Sequence, residues 1–143
     1  MVSRKTFLTY LQRTSVIETF QSQADNTKAG ITIFVPRDSA FATLAIGSLS
    51  KAQLKSLVLY HALPRFYSLA EVGSLRRRNP VATFAGSQYT LNVSDDIGTV
   101  LVRSAWSNAR IGSTVCATAP VEAYEVDKVL LPSQIFKSEP VLV

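Results

Sequence analysis

The chain is poor in the side chains that carry most enzyme chemistry. Its 143 residues include one cysteine, Cys116, and one histidine, His61. A lone cysteine excludes an internal disulfide framework and any cysteine-rich zinc or iron–sulfur cluster. A lone histidine leaves a histidine-based metal site short of ligands, so neither metal nor other cofactor is expected. Charged residues make up only 17% against 47% hydrophobic, which argues against intrinsic disorder. Six Gly and six Pro exclude collagen-like and low-complexity classes. No run approaches the roughly 18 apolar residues of a membrane helix. The basic start Met1–Lys5 is not followed by the apolar stretch of a secretory signal, because Leu8, Tyr10 and Leu11 are interleaved with polar residues. The segment is therefore either cytosolic or a domain whose address labels lie outside it.

What remains is a single domain, long enough to bury roughly two-thirds of the surface of the unfolded chain. Fifteen Lys+Arg against ten Asp+Glu give a net charge of +5, which suits polyanionic partners without naming one. Phe7, Leu8 and Leu11 fit one helical face. Ser15 with Glu18 reads as a capping box for a second short helical turn, and Asp25–Gly30 as a loop. Ile31–Val35, closed by Pro36, is β-branched and aromatic and reads as a strand. Asp38 then caps a short helix that carries Phe41 and Leu44. Ser50 and Gln53 form a capping box opening a helix from Lys51 to about Leu63, stopped by Pro64. A further short helix covers Ser68 to Leu75, and Arg76–Arg77–Arg78 is a charged loop. After Pro80 the hydrophobic period shifts from 3.6 to 2. Strands are expected at 81–84, 88–94, 99–106, 109–117 and 121–129, with turns at Asp95–Gly98 and Ser107–Asn108. Helices followed by an antiparallel meander define the α+β class.

The motifs offer little to catalysis. His61 lies on the apolar stripe Leu54–Leu57–Val58–His61 and no G-x-S-x-G elbow is present, so a satisfied structural histidine is the better reading. Cys116, in an apolar strand, reads as packing. Asp95 and Asp96 suit a turn. Asp127, within Val126–Leu131, calls for a partner, and a salt bridge or backbone cap outranks catalysis. A carbohydrate-active hydrolase using Asp127 or Glu125 beside His61 is the alternative, and it requires all three on one open cleft. Phosphate-cradling motifs are absent. Arg76–Arg78 lacks the interleaved aromatics of a nucleic-acid site, so nucleic acid is not an expected partner, while contact with an acidic polysaccharide stays open. Asn92–Val93–Ser94 is an N-glycosylation sequon. Alternation with Tyr89, Leu91 and Val93 puts Asn92 on the polar face of its strand.

Three segments in register resemble the fasciclin (FAS1) domain: Gly30–Phe41, with its strand, Pro36, Asp38 and Phe41; Tyr60–His61 after a leucine-rich helix; and Val121–Pro132, ending Val-Asp-Lys-Val-Leu-Leu-Pro. The resemblance covers residues 5–137 as one domain, leaving 1–4 and 138–143 as flanking ends. Tyr60–Ala70, Thr83–Gly86 and the Asn92 sequon are similar to plant fasciclin-like arabinogalactan proteins. The resemblance implies N-terminal helices packed on an antiparallel β-wedge or sandwich. It also implies a non-enzymatic glycoprotein of cell adhesion and cell-wall assembly at the cell surface, outside the plasma membrane. The membrane contact of such proteins is a GPI lipid anchor, which would lie outside this segment. Cell-wall polysaccharides or extracellular proteins are the implied partners, and weak self-association or a passive spacer role stays open. Carried over from the family, the adhesion motif would comprise Tyr60, His61 and Asp127; Asp38 and Phe41 would be structural.

Overall fold

A computed structural model describes residues 3–42 and 44–138; the remainder of the expected flanking ends, 1–2 and 139–143, lies outside the described residues. Phe7 and Leu11, four apart, are buried on α1 (Lys5–Arg13), whereas Leu8 turns out to be 45% exposed. A face that sits against only one neighbouring surface takes the i, i+4 pair and leaves i+1 in water. Helix α2 (Val16–Asn26) is longer than a short turn and absorbs Asp25. The Ser15 capping box does not form: Ser15 adopts a left-handed φ of 61° and makes no side-chain cap bond. The sharp corner between α1 and α2 takes the conformation that a cap would need.

Strand β1 (Ile31–Pro36) forms as the sequence dictates. The next helix, α3 (Asp38–Phe41), is a single turn. Asp38 does cap a helix, but not this one: its Oδ1 accepts the Thr6 N–H at 2.8 Å, so it closes the first turn of α1 across 32 residues. Helix α1 has no side-chain cap of its own, and the distant carboxylate supplies the acceptor its free N–H groups need. The neighbouring Ser3 side chain and the Thr6 N–H hold the Asp38 carboxyl below the usual carboxylate range.

Helix α4 (Lys51–Leu59) opens with both arms of the Ser50–Gln53 capping box in place. It stops four residues earlier than its apolar stripe suggests, because Ala62–Leu63 leave the helix to form β2, paired with Ile33 and Thr32 of β1. Pro64 thus ends a strand. Helix α5 (Leu69–Ser74) carries a second full capping box, Ser68 with Glu71, and runs into a 3₁₀ turn at Leu75–Arg77.

Five strands complete the sheet: β3 (Val81–Thr83), β4 (Gly86–Asp96), β5 (Thr99–Arg103), β6 (Asn108–Thr118) and β7 (Val121–Val126). Their order is β2-β1-β7-β6-β5-β4-β3. The meander from β3 to β7 is antiparallel as expected. The sheet as a whole is mixed, because β1 runs parallel to β7 from Ile31↔Val121 to Pro36↔Val126. That parallel pair joins the first and third motif segments directly. At the far edge, the Phe84 N–H donates to the Ala62 carbonyl at 2.8 Å, so the sheet nearly closes on itself. The fold is α+β.

Two buried clusters flank the central strands. Phe7, Leu11, Val16, Phe20, Ile31 and Leu57 fill the helical side. Phe34, Leu63, Leu91, Val102, Tyr124 and Leu130 fill the space enclosed by the curled sheet. Alternation along β1 sends Ile31 one way and Phe34 the other. Phe41 packs in the helical cluster.

Replacing Asp38 with Ala leaves the α1 N-terminus uncapped. The expected outcome in urea unfolding is a lower midpoint with an unchanged m-value, and Asp38→Asn, which keeps an acceptor oxygen, falls between Ala and the native chain.

Candidate functional site

Tyr60 and His61 lie at the end of α4, where the chain turns into β2, and both are buried, at 2% and 1% exposure. The His61 ring bridges two distant backbone groups. Its Nδ1 lies 2.7 Å from the Leu57 carbonyl, and its Nε2 lies 3.0 Å from the Leu130 N–H. A carbonyl can only accept and an N–H can only donate, so Nδ1 carries the proton and Nε2 accepts. Burial drives its pKa down to about 4, with the Leu57 hydrogen bond opposing. Phe7 packs against the ring with centroids 5.5 Å apart. Tyr60 donates its hydroxyl to the Thr90 carbonyl of β4 at 2.6 Å, and burial raises its pKa.

Asp127 follows β7 directly and is half-buried. Its partner is a backbone group rather than Lys128: Oδ1 accepts the Arg110 N–H at 2.8 Å, extending the β6–β7 pairing. Glu125 is 3% exposed and held between two arginines, Arg4 at 2.8 Å and Arg37 at 3.0 Å. This clamp ties the start of the chain and the end of β1 to β7. The hydrolase alternative needs Glu125 or Asp127 with His61 on one open cleft. The structure instead buries His61 and Glu125, each with its polar atoms engaged, and nothing brings the three groups to a common opening.

What the structure does bring together is Asp127 and Asn92. Both line a polar groove of about 1130 Å³ with Arg103, Trp106, Asn108 and Lys128. Asn92 is exposed on β4, as alternation requires, and pairs across the ladder with Arg103. Arg103 Nε donates to Asn108 Oδ1 at 3.1 Å. Trp106, 37% exposed, is pinned by its Nε1–H to the Phe136 carbonyl at 2.8 Å. Below the groove, Ser104 Oγ accepts the Leu131 N–H at 2.9 Å, and Ser107 Oγ donates to the Val129 carbonyl at 2.6 Å. The groove floor is thereby anchored to the same Val129–Leu131 segment that His61 holds. Tyr60 borders an adjoining smaller hollow that also includes Asn92 and Arg103. Trp106, expected as the last residue of a strand, lies instead in the turn between β5 and β6. The available signal was the only tryptophan of the chain set in the polar turn Ser104–Asn108.

A second concavity, about 350 Å³, lies on the α5 side and is lined by Arg65, Tyr67, Glu71, Arg77 and Arg78. Arg76, Arg77 and Arg78 are all exposed. Arg76 folds back toward the Gly73 carbonyl at 3.3 Å, while the Arg65 guanidinium lies over the Tyr67 ring, 5.9 Å from its centroid. Glu71 is occupied with the Ser68 cap, whose backbone bond lowers its pKa first, with nearby Arg65 a smaller cause. Among the described residues, no group of three or more His, Cys, Asp or Glu is placed to hold a metal ion. No described helix is long and apolar enough to cross a membrane.

A family model for the fasciclin domain matches residues 3–132. The chain is 52% identical over 137 residues to fasciclin-like arabinogalactan protein 7 of Arabidopsis thaliana, covering 94% of this chain and 54% of that protein. It is 34% identical over 141 residues to fasciclin-like arabinogalactan protein 12 of the same plant, covering 94% of this chain and 56% of that protein. The chain thus spans about half the length of these relatives. Among solved structures, the FAS1 domain pair of the insect cell adhesion molecule fasciclin I aligns with a TM-score of 0.67 at 16% identity. That alignment covers 88% of this chain and 44% of the insect chain.

The His61 arrangement predicts how stability follows pH. The folded state resists protonation down to about pH 4, whereas an unfolded histidine takes up its proton near 6.5. The unfolded chain therefore binds more protons between these values, and stability falls as pH drops through that window, by about 3 kcal/mol in all. Urea unfolding at stepped pH checks this. With His61 the only histidine, His61→Gln is expected to be less stable at neutral pH and to lose the slope between pH 6.5 and 5.

Proposed function

The chain belongs to the fasciclin domain family, and on that premise we propose that it is an extracellular adhesion or matrix module of the plant cell surface, holding acidic cell-wall polysaccharide on its basic concavity. The observation that carries this reading is the cluster of Arg65, Arg77 and Arg78 around one hollow, beside Tyr67. Planar guanidinium groups suit bidentate contact with the carboxylates of uronic-acid polymers. An aromatic ring nearby offers a surface for the apolar face of a sugar. The net charge of +5 adds long-range attraction to the same class of partner.

Family names among the relatives point the same way: they are fasciclin-like arabinogalactan proteins, and the insect structure is that of a cell adhesion molecule. In this reading the chain acts by binding, not by catalysis. Tyr60 and His61 serve it from within, too buried to touch a polymer, while Asp127 fastens the end of β7 and borders the polar groove. A cell-surface address makes Asn92 a glycan acceptor.

Binding to immobilised polygalacturonate at low ionic strength tests the proposal. The native domain is retained and released by added salt, since exposed charge pairs are screened. Replacing Arg65, Arg77 and Arg78 together with Gln weakens retention by about tenfold, the sum of three modest surface contacts. Retention that ignores both salt and these arginines overturns the electrostatic reading. No retention at all favours a passive spacer.

A further inference from the structure

The groove beside Asn92 is larger and more polar than a typical small-molecule pocket. At about 1130 Å³ it lies above the ~300–1,000 Å³ of typical ligand clefts, which are mostly apolar. Its lining alternates donors and acceptors (Arg103, Asn108, Asp127, Lys128) around one half-exposed indole. That combination matches a saccharide, whose hydroxyls need polar partners and whose C–H face packs on an aromatic ring. Trp106 is already fixed by its bond to the Phe136 carbonyl, so stacking against it sacrifices little side-chain freedom.

The sequon supplies the occupant. Asn92 is itself part of the groove wall, exposed, and followed by Val93 and Ser94. We propose that the groove seats the first sugars of an N-linked glycan carried on Asn92, with Trp106 as the stacking platform. This rests on the cell-surface function proposed for the chain. In the modification, the Asn92 amide nitrogen bonds to the anomeric carbon of a polyprenyl-diphosphate-linked oligosaccharide. The bond from that carbon to the diphosphate oxygen breaks, and the amide gives up one proton as the polyprenyl diphosphate leaves. Once attached, the sugars face the groove at a tethered concentration on the order of millimolar, which a weakly bound free saccharide does not match. The glycan then shields the exposed indole and covers the turn that anchors Val129–Leu131.

Trp106 is the only tryptophan, so its fluorescence reports on this groove alone. The protein is to be secreted from a eukaryotic host, its occupancy at Asn92 read by intact mass, and acrylamide quenching compared in three forms: glycosylated, enzymatically freed of the whole glycan, and Asn92→Gln. The glycosylated form is expected to show a quenching constant lower by roughly half, because the attached sugars cover much of the exposed part of the indole. Both glycan-free forms return to the higher value; the enzymatically freed form keeps the test valid if the variant folds poorly. Equal quenching in all three, with Asn92 occupied, overturns the groove assignment and leaves the sequon reading standing. A bare Asn92 on secreted protein overturns both. Protection of Trp106 in the Asn92→Gln form by micromolar free chitobiose overturns the assignment to the chain's own glycan and makes the groove a site for external saccharide.

Discussion

A neutral imidazole, held between a helix carbonyl and a loop N–H, is the constraint on which the rest of the structure depends. His61 receives the end of α4 through Leu57 and holds Leu130 in place 69 residues later. Neither contact survives a change in tautomer, and protonation of Nε2 would set two N–H groups against each other. The ring therefore has to sit in an apolar surround that keeps it uncharged, and Phe7 and the helical cluster supply that surround. From Leu130 the constraint passes to Val129 and Leu131, and through Ser104 and Ser107 to the turn that carries Trp106. The histidine that its apolar stripe marks as structural is committed to holding a surface in shape.

The same logic governs the buried carboxylates. Glu125 is 3% exposed and needs compensation, which Arg4 and Arg37 provide from two other parts of the chain. Asp38 caps a helix it does not belong to, and Asp127 completes a ladder. Asp38, His61, Glu125 and Asp127 thus each tie together pieces that are remote in sequence. With those groups used internally, the two surfaces that gather charged and aromatic side chains for a partner are the basic hollow by α5 and the polar groove by β4 and β5. The two differ in chemistry: the hollow gathers guanidinium groups, while the groove mixes both charges around one indole.

Much of this was legible in the sequence where the information is local. The β-branched run Ile31–Val35, the Ser50–Gln53 capping box and the change of hydrophobic period after Pro80 each depend on a few neighbouring residues, and each appears where expected. Local pattern and structure part where distant residues decide. The helical stripe through His61 continues in sequence, but pairing of Ala62 and Leu63 with β1 stops the helix. Ser15 has the residue type of a cap but not the backbone for it. No local pattern tells that Asp38 reaches Thr6, or that β1 lies parallel to β7. Of the site, the sequon, its outward face and the arginine run were legible. The groove that gathers Asn92, Trp106 and Asp127 is a product of strand order, which periodicity does not encode.

The packing around His61 fixes both its tautomer and its charge, and ¹⁵N-detected NMR of the imidazole across a pH titration measures both. The expected result is a neutral ring protonated at Nδ1, with Nε2 at an acceptor-type shift, and a titration midpoint near 4 rather than 6.5. A ring protonated at Nε2, or one that titrates near 6.5 while the domain stays folded, would contradict it.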